Sequence, residues 1–232
     1  MKLPKLLPGL RRERGLALIE IAVTLVVVAL VLSGILAAQE LITQGRIKAV
    51  VADFNSLAAA YYAYQDRYAA LPGDDSHAAA RWAAGAARDG NGDGFIAGGY
   101  DDTPPAASAI GTFPIDATAG ETLNYWWHLR LAGFVPRPAG LASMASQPQN
   151  AFAGVIGIQM NGAGLAGPTL CQANLPGKIA AAVDGQLDDT RPATGRVRGL
   201  RQTVTPQPLA TALPVAAYQE DGSSVYVVCR SQ

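Results

Sequence analysis

The sequence predicts an α+β protein in which one long N-terminal helix packs on a small antiparallel sheet. Three observations carry that reading. Leu16 to Ala38, LALIEIAVTLVVVALVLSGILAA, is an apolar run of more than twenty residues in which Glu20 is the only charge. From Gln39 the run turns amphipathic, with Ile47, Val50, Val51, Phe54, Leu57, Ala58, Tyr61 and Tyr68 at three- and four-residue spacing. Further on, short β-prone segments alternate with turn residues, and Ser224 to Cys229 (SVYVVC) is the clearest of them.

The chain begins with a short basic leader, residues 1–15, that carries Lys2, Lys5, Arg11, Arg12 and Arg14 against Glu13. Residues 16–38 then have the length of a bilayer span, since about 20 residues of helix cover a core of ~30 Å. The run is too long and too charged for a secretory h-region, and Leu36-Ala37-Ala38 matches a small-x-small cleavage site poorly. A carboxylate inside such a run costs roughly 2.5–3.5 kcal/mol on insertion scales. No other side chain in the span can offset Glu20, so its partner is expected on another molecule. The basic leader stays cytoplasmic by the positive-inside rule, which puts the rest of the chain on the far side.

The helix does not stop at the end of the span. Arg46, Lys48, Asp53, Asn55, Gln65, Asp66 and Arg67 fall between the apolar positions and suit a wet face. No proline interrupts Leu16 to Leu71, and Pro72-Gly73 supplies a stop. One helix of ~55 residues, about 80 Å long, follows, with 39–71 as its amphipathic half. Residues 72–232 make the globular domain. Its first part, to about position 120, is rich in Gly, Asp, Ala and Pro and is broken by Thr103-Pro104-Pro105. Glu121 to Leu131 reads as a helix with Gly133 as C-cap, and Lys178 to Leu187 as a second helix after Pro176-Gly177. Phe152 to Met160, Leu165 to Gln172, Val197 to Val204 and the Ser224 segment read as strands.

Gly15 followed by Leu16, Ala17, Leu18, Ile19 and Glu20 resembles the processing motif of type IV pilins and type II secretion pseudopilins. The resemblance covers the first tenth of the chain, and Leu16 stands where the family usually has Phe. It implies cleavage after Gly15 by a prepilin peptidase and methylation of the new N-terminus at Leu16. It also implies that Glu20 pairs with the terminal amine of a neighbouring pilin or pseudopilin subunit. The expected place is the bacterial inner membrane, single-pass with a periplasmic C-terminal domain, and then a cell-surface or periplasmic filament. Retention of Glu20 argues against the tip pseudopilin, which typically lacks it.

Two cysteines, Cys171 and Cys229, are expected to form a disulfide in a domain facing the periplasm. Pilins often carry such a C-terminal bridge. A zinc site is a poor fit to two cysteines without a nearby histidine.

Asp89-Gly90-Asn91-Gly92-Asp93-Gly94 matches the first half of a calcium loop, with oxygen side chains at alternate positions and glycine at the turn. On that register Asp89, Asn91 and Asp93 are side-chain ligands and Phe95 offers its carbonyl. The twelfth position is Tyr100, so Asp101 or Asp102 must replace the usual Glu, with Asp74 and Asp75 as outer ligands. Calcium loops also occur in pseudopilins. Gly, Asn and Asp favour turns in any case. Asp184, Asp188 and Asp189 form a second acidic group, read as a solvated helix end.

Other function classes find little support. The formal net charge is zero over 232 residues, and removal of the leader leaves 13 Lys plus Arg against 17 Asp plus Glu. That mildly acidic chain has no electrostatic footprint for nucleic acid. No G-x-S-x-G, P-loop or H-E-x-x-H is present, and neither His77 nor His128 adjoins a nucleophile motif, so no enzyme is expected. Tyr125-Trp126-Trp127-His128 offers an alternative reading, a membrane-anchored periplasmic protein that binds a ligand such as a sugar on an aromatic face. Core packing against the long helix is the commoner use of such a run.

Overall fold

In order along the chain are α1 (Arg14–Tyr68), α2 (Ala78–Arg81), α3 (Glu121–Leu131), β1 (Ile156–Met160), β2 (Pro168–Pro176), α4 (Gly177–Leu187), β3 (Val197–Arg201) and β4 (Val225–Ser231). This computed structural model describes residues 14–85, 87–102, 120–139, 144–203 and 213–232. The leader through Glu13, the Thr103-Pro104-Pro105 breaker and Val204 lie outside the described residues.

α1 is a single helix of 55 residues, as its proline-free sequence demands. It ends at Tyr68 rather than Leu71. Ala69 takes a left-handed backbone (φ 51°) and closes the last turn with its N–H on the Gln65 carbonyl at 2.8 Å. The chain therefore leaves the helix before Pro72 is reached.

Two compact units divide the chain, residues 1–45 and 46–232. The described part of the first is helix alone, with every large apolar side chain from Leu18 to Leu36 between 49 and 72 % exposed. An 18-residue window of α1 has a mean hydropathy of 2.8, and the helix is long and apolar enough to cross a membrane.

The second unit is an α+β domain. Its antiparallel sheet has the order β1-β2-β4-β3, so the C-terminal strand is central. β2 begins and ends later than expected. A bulge between Gln172 and Leu175, with Asn174 at φ 60°, lets it run on to Pro176 and straight into α4. Period-2 alternation sorts the strands into two faces. Ile156, Ile158, Leu170, Val197, Tyr226 and Val228 share a core with Val50, Phe54 and Tyr61 of α1 and with Trp126 and Val183 of α3 and α4. The Gln172 amide fixes the register of sheet and helix by donating to the Val50 carbonyl at 3.0 Å.

Cys171, Val227, Cys229 and Leu200 point to the other face, under Tyr100, Ala163 and Leu165. Cys171 and Cys229 are direct cross-strand partners and form the expected disulfide. Tyr100 passes so close to β1 that a Cβ on Gly157 would lie 1.7 Å from its carbonyl oxygen. Only glycine fits there.

Candidate functional site

Three carboxylates, Asp74, Asp93 and Glu121, bring oxygen atoms within 4.8 Å of one another. Each arrives for a local reason. After α1, Gly73 (φ 99°) turns the chain back against α3, where a Cβ would meet the Glu121 carbonyl at 2.6 Å. Its N–H donates to His128 Nδ1 at 3.0 Å, and that anchor presents Asp74 to the glycine-rich loop. Asp74 Oδ1 accepts the N–H of Gly92 (2.6 Å) and Asp93 (3.1 Å), and Oδ2 accepts that of Gly94 (2.8 Å).

Glu121 opens α3, where the positive end of the helix dipole favours an anion. Its two oxygens accept the N–H of Asn91 and Ala97, both at 2.9 Å, across the loop. Asp93 turns the loop tip, taking the Phe95 N–H on Oδ1 and the Asn91 amide on Oδ2, both at 2.8 Å. The alternating glycines serve the same geometry. Gly90 runs against the Asp74 backbone, where a Cβ would lie 2.3 Å away, while Gly92 and Gly94 take φ of 74° and 82°.

Of the predicted ligands, Asp93 and the outer ligand Asp74 lie in this cluster, with Asn91 bonded beside Asp93. Asp89 turns away and accepts the Ala79 N–H at 2.8 Å. Phe95 is bonded through its own N–H. Asp102 accepts from Thr122 Oγ1 at 2.7 Å and from the Gly99 N–H at 2.8 Å, holding the next turn against α3. Burial pushes the neighbouring Asp101 carboxyl up, with Asp102 adding to it. Asp75 is buried and serves a different network, accepting from the Tyr64 hydroxyl at 2.6 Å and pairing with Arg81. Burial pushes the Asp75 carboxyl up, but Tyr64, Arg81 and the His77 N–H more than offset it, so it titrates low.

Sequence reasoning missed Glu121, because a ligand thirty residues from its loop partner Asn91 lies outside any short motif. An acidic residue at the head of a predicted helix was the available signal. The three carboxylates nevertheless form a donor set of hard oxygens. Glu121 is wholly buried. Burial pushes its carboxyl up, the two N–H bonds counter this only in part, and Asp74 and Asp93 push it further up. Each oxygen that accepts one N–H keeps a second lone pair. Asp74, Asp93 and Glu121 are therefore the residues that would hold a hard divalent cation such as Ca²⁺. Beside them Tyr68, Asp74, Ser76, His77 and Gly92 help to line a cavity of about 610 Å³.

His128 is fully buried, donates from Nε2 to the Arg88 carbonyl at 2.7 Å, and is lowered by burial to about 4. Tyr125 and Trp126 are fully buried and Trp127 is 4 % exposed, so this aromatic run is core rather than a binding face. Asp184 is also buried, accepting from Tyr218 at 2.8 Å, which corrects its reading as a solvated helix end. Asp188 and Asp189 do lie exposed, where they organise the loop into β3 through the N–H groups of Val197 and Arg191.

Gly15 and Leu16 lie in the opening turns of α1, and Glu20 follows one turn later, exposed. Compared with protein-family models, curated proteins and solved structures, the chain gives no match.

Proposed function

We propose that this chain is a structural subunit of a type IV pilus or a type II secretion pseudopilus. In this reading it is made as a prepilin in the bacterial inner membrane, cut after Gly15, and assembled through α1 with its globular domain in the periplasm. The observation that carries the proposal is the exposed apolar helix from Leu18 to Leu36 with Glu20 as its one carboxylate. Such a surface needs either lipid or other helices around it. A helix that changes from one to the other keeps its apolar contacts, while Glu20 gains the amine of a neighbouring Leu16 as counter-charge.

The wet side of the amphipathic half supports the same reading. Ala49, Ala52, Ser56 and Ala59 are exposed and recur at three- and four-residue spacing, which lets another helix approach closely. A calcium ion held by Asp74, Asp93 and Glu121 belongs to the proposal as a structural element of the domain. It would tie the glycine-rich loop to the end of α1 and the start of α3.

Intact mass and N-terminal sequencing of the membrane-extracted chain test the processing step. A start at Leu16 is expected, and a start at Met1 or near Gln39 overturns it. Glu20→Ala should leave cleavage intact and strongly reduce recovery in sheared filaments. Normal incorporation of that variant removes the role given to Glu20. Calcium should raise the melting temperature of the full chain in detergent, and Asp93→Ala should abolish the rise.

A further inference from the structure

α3 opens with Glu121, carries Asn124 one turn on and His128 a further turn on. At about 100° per residue the three fall within roughly 60° of arc, so they share one strip of the helix. Two of them hold the chain between 88 and 91. His128 Nε2 donates to the Arg88 carbonyl at 2.7 Å, and Glu121 Oε1 accepts the Asn91 N–H at 2.9 Å. That segment therefore runs along the strip, and Asn124 stands under it between the two contacts. Helical side chains lean towards the N-terminal end of their helix, which for Asn124 is the Glu121 end.

Asn124 is 1 % exposed, and both its Oδ1 and its Nδ2 are buried without a hydrogen-bond partner. A buried amide in that state costs the fold free energy that an apolar side chain of the same size would not. No described residue offsets the cost, so the amide points to a partner from outside the chain. The donor set at the Glu121 end is short of oxygens in a matching way. Asp74, Asp93 and Glu121 bring oxygen atoms within 4.8 Å of one another, whereas Ca²⁺ takes about six to eight oxygen ligands. Three carboxylates already outweigh the charge of a divalent ion, so a further protein ligand is best neutral. A carboxamide oxygen is such a ligand.

We infer that Asn124 is a further oxygen ligand of the cation held by Asp74, Asp93 and Glu121, with Oδ1 turned to the ion and Nδ2 to the loop backbone between Arg88 and Asn91. This rests on the cation site proposed above. The unpartnered amide is a separate observation, because Asn124 is neutral and lies outside the acidic cluster.

Calcium titration of the full chain in detergent, read by thermal unfolding, is the test. Asn124→Leu keeps the volume and removes both polar atoms. Without calcium it should melt at or above the wild-type temperature, since the unpaired amide is gone. With calcium, the concentration that gives half of the full rise should increase about tenfold. Asn124→Asp puts an oxygen back. In chelator it should melt below the wild type, because a fourth carboxylate joins three others, and calcium should restore a rise at least as large as that of the wild type. Three results overturn the assignment: an unchanged half-maximal concentration in Asn124→Leu, an Asn124→Asp rise no larger than that of Asn124→Leu, or an Asn124→Leu transition below wild type without calcium. Each leaves the cation site standing where calcium still raises the wild-type transition and Asp93→Ala abolishes that rise. A wild-type chain that calcium does not stabilise overturns both.

Discussion

The two halves of α1 share one backbone geometry and have opposite surroundings. From Leu18 to Leu36 every large apolar side chain is at least 49 % exposed, whereas Ile47, Val50, Phe54, Leu57, Tyr61 and Tyr64 are 7 % exposed or less. Helix formation is therefore not what distinguishes them. The second half is finished within its own chain, by a sheet, two helices and a disulfide. The first half is a helix whose apolar surface the described chain leaves open, and its free energy depends on what surrounds it.

That contrast can be broken most directly by truncating one side chain in each half. Phe54→Ala should cost the domain about 3–5 kcal/mol, as expected for emptying a fully buried aromatic site. Val27→Ala should change the same thermal transition by no more than about 0.5 kcal/mol, because the site is exposed within the chain. Thermal unfolding of both variants in detergent is the measurement, and equal effects would dissolve the distinction between the halves.

The disulfide sharpens the same comparison. Cys171 and Cys229 enclose a separation of 58 residues, for which chain entropy suggests a stabilisation of about 4 kcal/mol. Cys171→Ser/Cys229→Ser should lower the domain transition by that order and leave the helicity of residues 16–38 unchanged. Far-UV circular dichroism that persists above the domain transition reports the second part.

A smaller effect comes from pH. His128 is neutral in the fold, with a pKa of about 4 against an ordinary 6.5. The unfolded chain therefore binds more protons between those values, so stability is present above about pH 6.5 and is lost as pH falls towards 4, by on the order of 3 kcal/mol. Protonation ends the acceptance of the Gly73 N–H and frees the turn that presents Asp74. His128→Gln should flatten the melting temperature between pH 6.5 and 4.5, and a slope unchanged from wild type would assign the loss to other groups.

Much of the domain was legible because local rules decide local structure. The helix Glu121–Leu131 follows from its composition and from Gly133 beyond its end, and the Ser224 segment follows from its β-branched run. The end of β2 was not legible, since a bulge at Asn174 is set by pairing with β4 and leaves no mark in its own segment. For the candidate site the glycine-rich loop was plain and Asp74 was named as an outer ligand, but Glu121 was not. A repeat of Asp, Asn and Gly suggests ligands from one short segment, yet two of the three converging carboxylates come from a turn before it and a helix after it. Asp101 and Asp102 looked like substitutes by spacing alone. In the fold Thr122 and the Gly99 N–H claim Asp102 for the turn against α3.

By itself the sequence determined the helix, its change of character near Gln39, the lone carboxylate Glu20 and the outline of an α+β domain. These depend on periodicity, on proline and on hydropathy, which act over a few turns of chain. Tertiary structure alone decided that Asp74, Asp93 and Glu121 meet, that Asp184 is buried against Tyr218, and that Arg230 reaches across Phe54 to Asn55. Each of these is a contact between residues far apart in sequence, fixed by how the helices and four strands close around the clusters on the two faces of the sheet.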